Sequence, residues 1–202
     1  VNIDHQYFIV PSHKRYEALK RMIDFNPDMY RIIFTRTKAD AQDISERLAK
    51  AGYDIEALHG DLTQQQRDKV MNRFREKSLQ LLIATDVAAR GIDVENITHV
   101  INYDLPDELE SYTHRSGRTG RAGKSGVSIA IINMKESGKI RQIEKQINKK
   151  FTAGKIPDGV EVCEKQLFNL INKVHTVEVN EKEIEKYLPA IFDELKDLNR
   201  ED

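Results

Sequence analysis

Thr63-Gln-Gln-Gln-Arg-Asp-Lys-Val-Met-Asn-Arg-Phe74, followed shortly by Leu81-Leu-Ile-Ala-Thr85, is the stretch that decides the fold. Thr63 with Gln66 has the form of a capping box, in which each side chain satisfies the other residue's backbone N–H, and Val70 and Phe74 lie one helical turn apart. The next run, Leu81–Ala84, is too short for a helix and apolar throughout, which reads as a strand buried on both faces. The same alternation extends in both directions. Upstream lie strand-like Ile3–Val10, Ile32–Phe34 and Ile55–Leu58. Between them run a helical stripe of Tyr16, Leu19, Met22 and Ile23 stopped by Pro27, and another of Ala41, Ile44 and Leu48 closed by Gly52. Downstream, His99–Tyr103 and Val127–Ile132 read as strands, with helices around Glu108–Ser116 and from about Glu136 to Asn148. Short apolar strands alternating with amphipathic helices predict an α/β fold: a parallel sheet with helices on both faces. In such folds ligands gather at the carboxyl ends of the strands. The chemistry is therefore expected in the loops after Phe34, Leu58, Ala84 and Tyr103 and in the helix before Val127.

Beyond Phe151 the pattern changes, which predicts a main domain over 1–150 and a linker with a short α-helical extension over 151–202. Lys155-Ile-Pro-Asp-Gly159 reads as the linker. Leu167, Leu170, Ile171 and Val174 form one helical stripe, and Ile184, Leu188, Ile191, Leu195 and Leu198 a second. Asn180 with Glu183 can cap the second helix, and Pro189 should kink or restart it. Two short amphipathic helices cannot bury their apolar faces alone, so they must dock on the body, on sequence outside this chain, or on another chain.

Composition narrows the classes. Of the 202 residues 39% are apolar and 32% charged, and no apolar run approaches the length that spans a bilayer, about 20 residues, so no membrane partner is expected. The single cysteine, Cys163, excludes an internal disulfide framework and a cysteine-rich zinc site, and no metal is expected on this chain. The chain opens on Val1 with no basic or apolar leader, the reading expected of a piece of a longer cytoplasmic protein. A net charge of −1 hides an asymmetry: from Lys155 onward twelve acids face seven bases, leaving residues 1–154 at about +4, a bias compatible with a polyanionic partner.

Four clusters carry the chemistry. In Tyr112-Thr-His-Arg-Ser-Gly-Arg-Thr-Gly-Arg-Ala-Gly-Lys-Ser-Gly126 there are four cations and no acid. Arginines three apart share a helix face, the interposed glycines let backbone approach a phosphate, and the guanidinium fork matches phosphate oxygens. A solvated basic turn is the plainer alternative; the glycine spacing and missing counter-acids favour an anion site. Gly123-Lys124-Ser125 ends like a P-loop, but the first glycine of that pattern would have to stand at Arg118, so the pattern fails. The second cluster, Leu82-Ile-Ala-Thr-Asp-Val-Ala-Ala-Arg-Gly-Ile-Asp93, offers Thr85 and Gly91 to phosphate and Asp93 to ribose hydroxyls; a capping Asp86 and a plain turn fit equally well. The third, His59-Gly-Asp-Leu-Thr-Gln-Gln-Gln-Arg67, opens a helix whose free N–H groups suit an anion, with a capped polar surface helix as the alternative. Phe34-Thr-Arg-Thr-Lys38 is a fourth, weaker candidate.

In order and spacing these segments resemble the C-terminal, RecA-like half of the DEAD-box family of ATP-dependent RNA helicases. Ile33-Phe-Thr-Arg-Thr-Lys38 resembles its motif IV, Gln64-x-x-Arg67 its Q-x-x-R element, Thr85-Asp-x-x-Ala-Arg-Gly-x-Asp93 its motif V, and His114-Arg-x-Gly-Arg-x-Gly-Arg121 its motif VI. The resemblance covers roughly residues 3–150 and implies a RecA-like sheet. It implies that Arg118 and Arg121 act as arginine fingers on ATP, whose Mg2+ and phosphates are held mainly by an N-terminal RecA-like domain outside this chain. Gly91 and Asp93 would bind the nucleotide. His114 and Arg115 would take part in catalysis by coupling to that domain, with Arg90 forming an interdomain ion pair. Thr35, Arg36, Gly60, Asp61, Gln64, Arg67, Thr85 and Gly91 would contact RNA through its backbone, independently of sequence. The tail more loosely resembles the helices that follow the motor in bacterial cold-shock members, which implies a homodimer; a helix pair packed on its own body is the equal alternative. Two other classes stay open: a non-catalytic RNA-binding or dimerisation module, and a DNA helicase of the same superfamily.

Overall fold

The computed structural model describes residues 2–27, 29–121, 123–176, 185 and 187–196. The first compact unit runs to Cys163 and the second from Glu164. In the first, seven strands form one parallel sheet in the order β3-β4-β2-β5-β6-β1-β7. The strands are β1 (Ile3–Ile9), β2 (Arg31–Thr35), β3 (Ile55–Leu58), β4 (Leu81–Thr85), β5 (His99–Asn102), β6 (Gly126–Ile132) and β7 (Thr152–Gly154). They alternate with helices α1 (Arg15–Phe25), α2 (Lys38–Lys50), α3 (Gln64–Arg75), α4 (Asp86–Ala89), α5 (Leu109–Ser116) and α6 (Ser137–Ile147).

Every residue of β2 and β4 is buried, the mark of central strands covered on both faces. The pleat sorts their side chains by parity. Ile33, Ile83 and Ile101 pack with Leu19, Met22, Ile44 and Leu48 under α1 and α2, while Ile32, Phe34, Leu82 and Ala84 pack with Val70 and Phe74 under α3. A third cluster, with Tyr112, Ile140 and Ile143, seats α5 and α6 against Ala130 and Ile132. The α/β architecture and its alternation are as the sequence predicts. The Thr63–Gln66 capping box is formed in both directions, Gln66 N donating to Thr63 Oγ1 at 3.2 Å and Thr63 N to Gln66 Oε1 at 2.9 Å.

The sheet extends past the expected boundary at 150. Thr152–Gly154 pairs in parallel with Gln6–Phe8, and the first unit continues to Cys163 with Val162 buried. Three exposed small residues carry no apolar alternation, so this edge strand leaves no pattern to read. The expected linker ends where α7 (Gly159–Thr176) begins, and in the second unit α8 (Leu188–Leu195) restarts with Pro189 in its first turn. The Asn180–Glu183 cap, Ile184 and Leu198 lie outside the described residues, as does the side chain of Leu195. No helix among the described residues is long and apolar enough to cross a membrane.

Candidate functional site

α4 and α5 flank a cleft of about 390 Å³ lined by Phe34, Asp86, Arg90, Ser111, His114, Arg115 and Arg118. α5 is fixed beneath by Tyr112, fully buried, whose hydroxyl meets His5 Nδ1 at 2.7 Å and Ser128 Oγ at 3.0 Å. Burial pushes that phenol's pKa up and the His5 imidazole's down, so both stay neutral near pH 7.

One turn on, Arg115 departs from the sequence expectation. It is 2% exposed and grips Asp86 through two parallel bonds, Nε–Oδ1 at 2.5 Å and Nη2–Oδ2 at 2.7 Å. Its remaining nitrogen donates to Asn102 Oδ1 at 3.2 Å and to the Asp104 carbonyl at 2.7 Å. Every nitrogen of this guanidinium is thus engaged within the first unit. Arg115 joins α4, α5 and the end of β5, while His114 beside it is exposed at the cleft rim.

Arg118 and Arg121 follow the end of α5. Arg118 Nη1 donates to the Ile92 carbonyl, and Arg121 Nε to the Gly117 carbonyl at 2.8 Å. Arg121 Nη1 lies 3.1 Å from Asp93, whose side chain is 89% exposed. Burial first, then the neighbouring Arg121 charge, lowers the Arg118 pKa from the usual arginine value, with Asp93 opposing. Thr119 is buried and donates to the carbonyls of Ile97 and Thr98, the residues just before β5. These arginines therefore stand along the crossover from β4 to β5, over one face of the sheet. The sequence placed this chemistry in the helix before Val127, and the two arginines fall just past the end of that helix, in the chain leading from α5 to β6.

The other predicted residues do sit at the carboxyl ends of β2, β3 and β4. Arg36, Gly60, Asp61, Gln64 and Arg90 are exposed and Arg67 half-buried. Arg67 Nη2 donates to the Arg90 carbonyl at 3.2 Å, tying the start of α3 to the loop after α4. In that loop Gly91 has φ +80°, a left-handed conformation that only glycine adopts freely. Lys38 pairs with Asp61 at 2.9 Å, and Gln64 donates to Asp68 at 2.8 Å. Thr35 is a correction: its side chain is 0% exposed and its hydroxyl donates to the Thr37 carbonyl at 3.2 Å, so that side chain touches no ligand from here. Thr85 is 7% exposed.

Sequence reasoning missed Asp104 as a site residue and weighed Asp86 only as a cap. Asp104 accepts from Arg15 Nη1 at 2.8 Å and from the Arg36 backbone N–H at 3.3 Å, while its carbonyl receives Arg115. Its position after a strand end is the one signal that pointed to it. Among the described residues no group of three His, Cys, Asp or Glu could hold a metal.

Residues 14–123 match the family model "Helicase conserved C-terminal domain", and residues 162–202 match "Probable ATP-dependent RNA helicase, helical domain". The chain is similar to the DEAD-box ATP-dependent RNA helicase CshA of Bacillus anthracis, 39% identical over 180 residues that make up 89% of this chain and 34% of that protein. It thus spans about a third of the length of the curated relatives it matches. It also resembles the solved C-terminal domain of the DEAD-box protein Dbp5 at 33% identity and TM-score 0.72, covering 82% of this chain and 97% of that one. S. cerevisiae Dbp5 bound to RNA and ADP BeF3 aligns at 34% identity and TM-score 0.73, over 82% of this chain and 46% of that one.

Proposed function

The chain belongs to the DEAD-box helicase family through its helicase conserved C-terminal domain, and from that premise we propose that it is the C-terminal half of an ATP-dependent RNA helicase motor, working with an N-terminal RecA-like lobe in the cytoplasm. One observation carries the reading: Arg118 and Arg121 flank the exposed Asp93 beside an open cleft, arginine charge next to a carboxylate that can accept from ribose. In this reading the other lobe holds ATP with its Mg2+, and Arg118 and Arg121 close on the γ-phosphate, where preorganised positive charge stabilises the transition state. The Arg121–Asp93 pair is a surface contact, worth about 0–1 kcal/mol, so Arg121 exchanges a carboxylate for a phosphate at small cost. Asp93 with Gly91 then holds the ribose, His114 and Arg90 meet the other lobe, and Arg115 acts by positioning α5.

RNA lies along the residues after β2, β3 and β4: the exposed Arg36, Gly60, Asp61 and Gln64, the half-buried Arg67, and backbone at Thr85 and Gly91. Contacts of this type read phosphate and sugar, so binding is independent of sequence, with 2′-hydroxyls separating RNA from DNA. ATP and RNA together draw the lobes closed, the bent strand sheds its partner, and hydrolysis reopens the cleft. In the second unit, exposed apolar side chains such as Phe168 and Leu170 on α7 support a homodimer through the C-terminal helices.

The non-catalytic alternative draws on Arg115, whose charge is consumed by Asp86. An ATPase assay decides. This chain alone should show negligible RNA-stimulated hydrolysis, and a two-lobed protein containing it should hydrolyse ATP with RNA. Arg121→Ala should lower that kcat by on the order of 10³-fold. Undiminished hydrolysis by the variant removes Arg121 from this role, and stimulation by DNA equal to that by RNA favours the DNA-helicase class.

A further inference from the structure

α6 carries an outward face on which bases far outnumber acids, Glu144 on its flank being the one acid of the helix. Ile140 and Ile143 are buried, which sets the inward direction, and at about 100° per residue Lys139, Arg141 and Lys145 fall on the flank and opposite side. Lys135 precedes the helix, and Lys149 and Lys150 follow it. Both acids of the segment already have partners, and Glu144 offsets only Lys150 among the bases. Glu136 accepts from Arg15 and from Asn133 N at 2.9 Å, and Glu144 accepts from Phe151 N at 3.0 Å with Lys150 at 3.4 Å. Among the described residues Lys135, Lys139, Arg141, Lys145 and Lys149 make no ion pair. The end of the helix and the chain after it enclose a concavity of about 360 Å³ lined by Arg141, Lys145, Asn148, Lys149 and Lys150, with Glu144 as the one acid in its wall.

Helix stability does not ask for this arrangement. Cations in the last turn oppose the negative end of the helix dipole, which accounts for Lys145 and Lys149. At the other end positive charge is unfavourable, yet Lys135 and Lys139 stand there with no acid in the first turn. The face also starts near the candidate RNA edge. In the sheet, β6 lies two strands from β2, about 10 Å at the usual strand spacing, and α6 follows the carboxyl end of β6. Glu136 at its start is bonded to Arg15, which bonds Asp104, which receives the Arg36 N–H.

We propose that the outward face of α6 is a second RNA-binding surface, taking the phosphate backbone of a strand that continues beyond the motif-bearing edge into the concavity at Lys145–Lys150. The proposal rests on the reading of this chain as an RNA-binding motor half.

Lys139→Gln, Arg141→Gln and Lys145→Gln, combined in the 202-residue chain, remove three exposed or half-exposed cations with little change in helix propensity. Binding of single-stranded oligouridine is measured against salt, with a hexamer and with an oligomer several times longer. For the long RNA the slope of log K on log salt should fall by about 2, near 0.7 per lost contact, with affinity at low salt down by on the order of tenfold. Hexamer binding, confined to the motif edge, should be unchanged. Equal slope and affinity of parent and variant for the long RNA overturn this proposal while leaving the motor reading intact. If the parent chain binds neither RNA, both fall. Loss of tripolyphosphate binding with long-RNA binding unaffected overturns RNA as the occupant and assigns the face to small phosphates.

Discussion

A guanidinium can serve a site in two ways, by touching the reacting groups or by holding others that do, and burial separates the two in motif VI. Arg115, nearly inaccessible, satisfies Asp86, Asn102 and the Asp104 carbonyl at once. Removing it leaves Asp86 uncompensated and two further acceptors, Asn102 Oδ1 and the Asp104 carbonyl, without that donor. Arg115→Ala should destabilise the first unit by about 3 kcal/mol, discounted because the Asp86 side chain is 41% exposed, and the urea midpoint measures it. Arg115→Lys should recover only part, since an ammonium cannot form the fork. A second test at this scale uses pH. His99, at the amino end of β5, has its pKa pushed down to about 4 by burial and then by Arg31. The unfolded imidazole titrates near 6.5, so between these values the unfolded chain binds more protons, and stability falls as pH drops through that window. The full loss is about 3 kcal/mol. His99→Gln should flatten the slope of stability between about pH 6.5 and 4, and an unaltered slope would remove His99 from the account.

Each site loop is held by the element it joins. Gly126 opens β6 where a Cβ would stand 2.2 Å from Thr119 Oγ1 and 2.5 Å from Gly120 N, so the loop carrying Arg118 and Arg121 packs directly on bare backbone. Because the second contact is backbone, Gly126→Ala should force that loop outward and cost about 1–3 kcal/mol, with Arg121 displaced from Asp93. Thermal melting reports the first effect, and the NMR signal of the Arg121 Nε–H the second. Thr63→Ala is the milder counterpart: it removes one capping bond of α3 and should cost about 1 kcal/mol. α1, α2, α3, α5 and α6 were all legible because their apolar residues recur once per turn toward a sheet. β7 was not, since its Thr-Ala-Gly sequence owes its strand form to backbone pairing with β1.

At the scale of the molecule, the exposed stripe Leu167, Leu170, Ile171 and Val174, with Phe168 beside it, calls for a covering surface. On the dimer reading, sedimentation of the parent chain should shift with concentration, and Phe168→Asp with Leu170→Asp should leave a monomer. A parent that stays monomeric at every concentration tested removes the dimer. The parallel α/β fold and the order of its main elements were legible in the chain's own pattern. Those properties are written in local periodicity and in residue types set at fixed spacings. Which charges remain available was settled by the fold: Asp86 takes Arg115, Asp93 meets Arg121, Thr35 faces inward, and Asp104 joins α1, α5 and the loop after β2. Partners such as Asp86 and Arg115 are 29 positions apart, and the strength of a charge depends on what burial removes from around it, which no stretch of chain specifies alone.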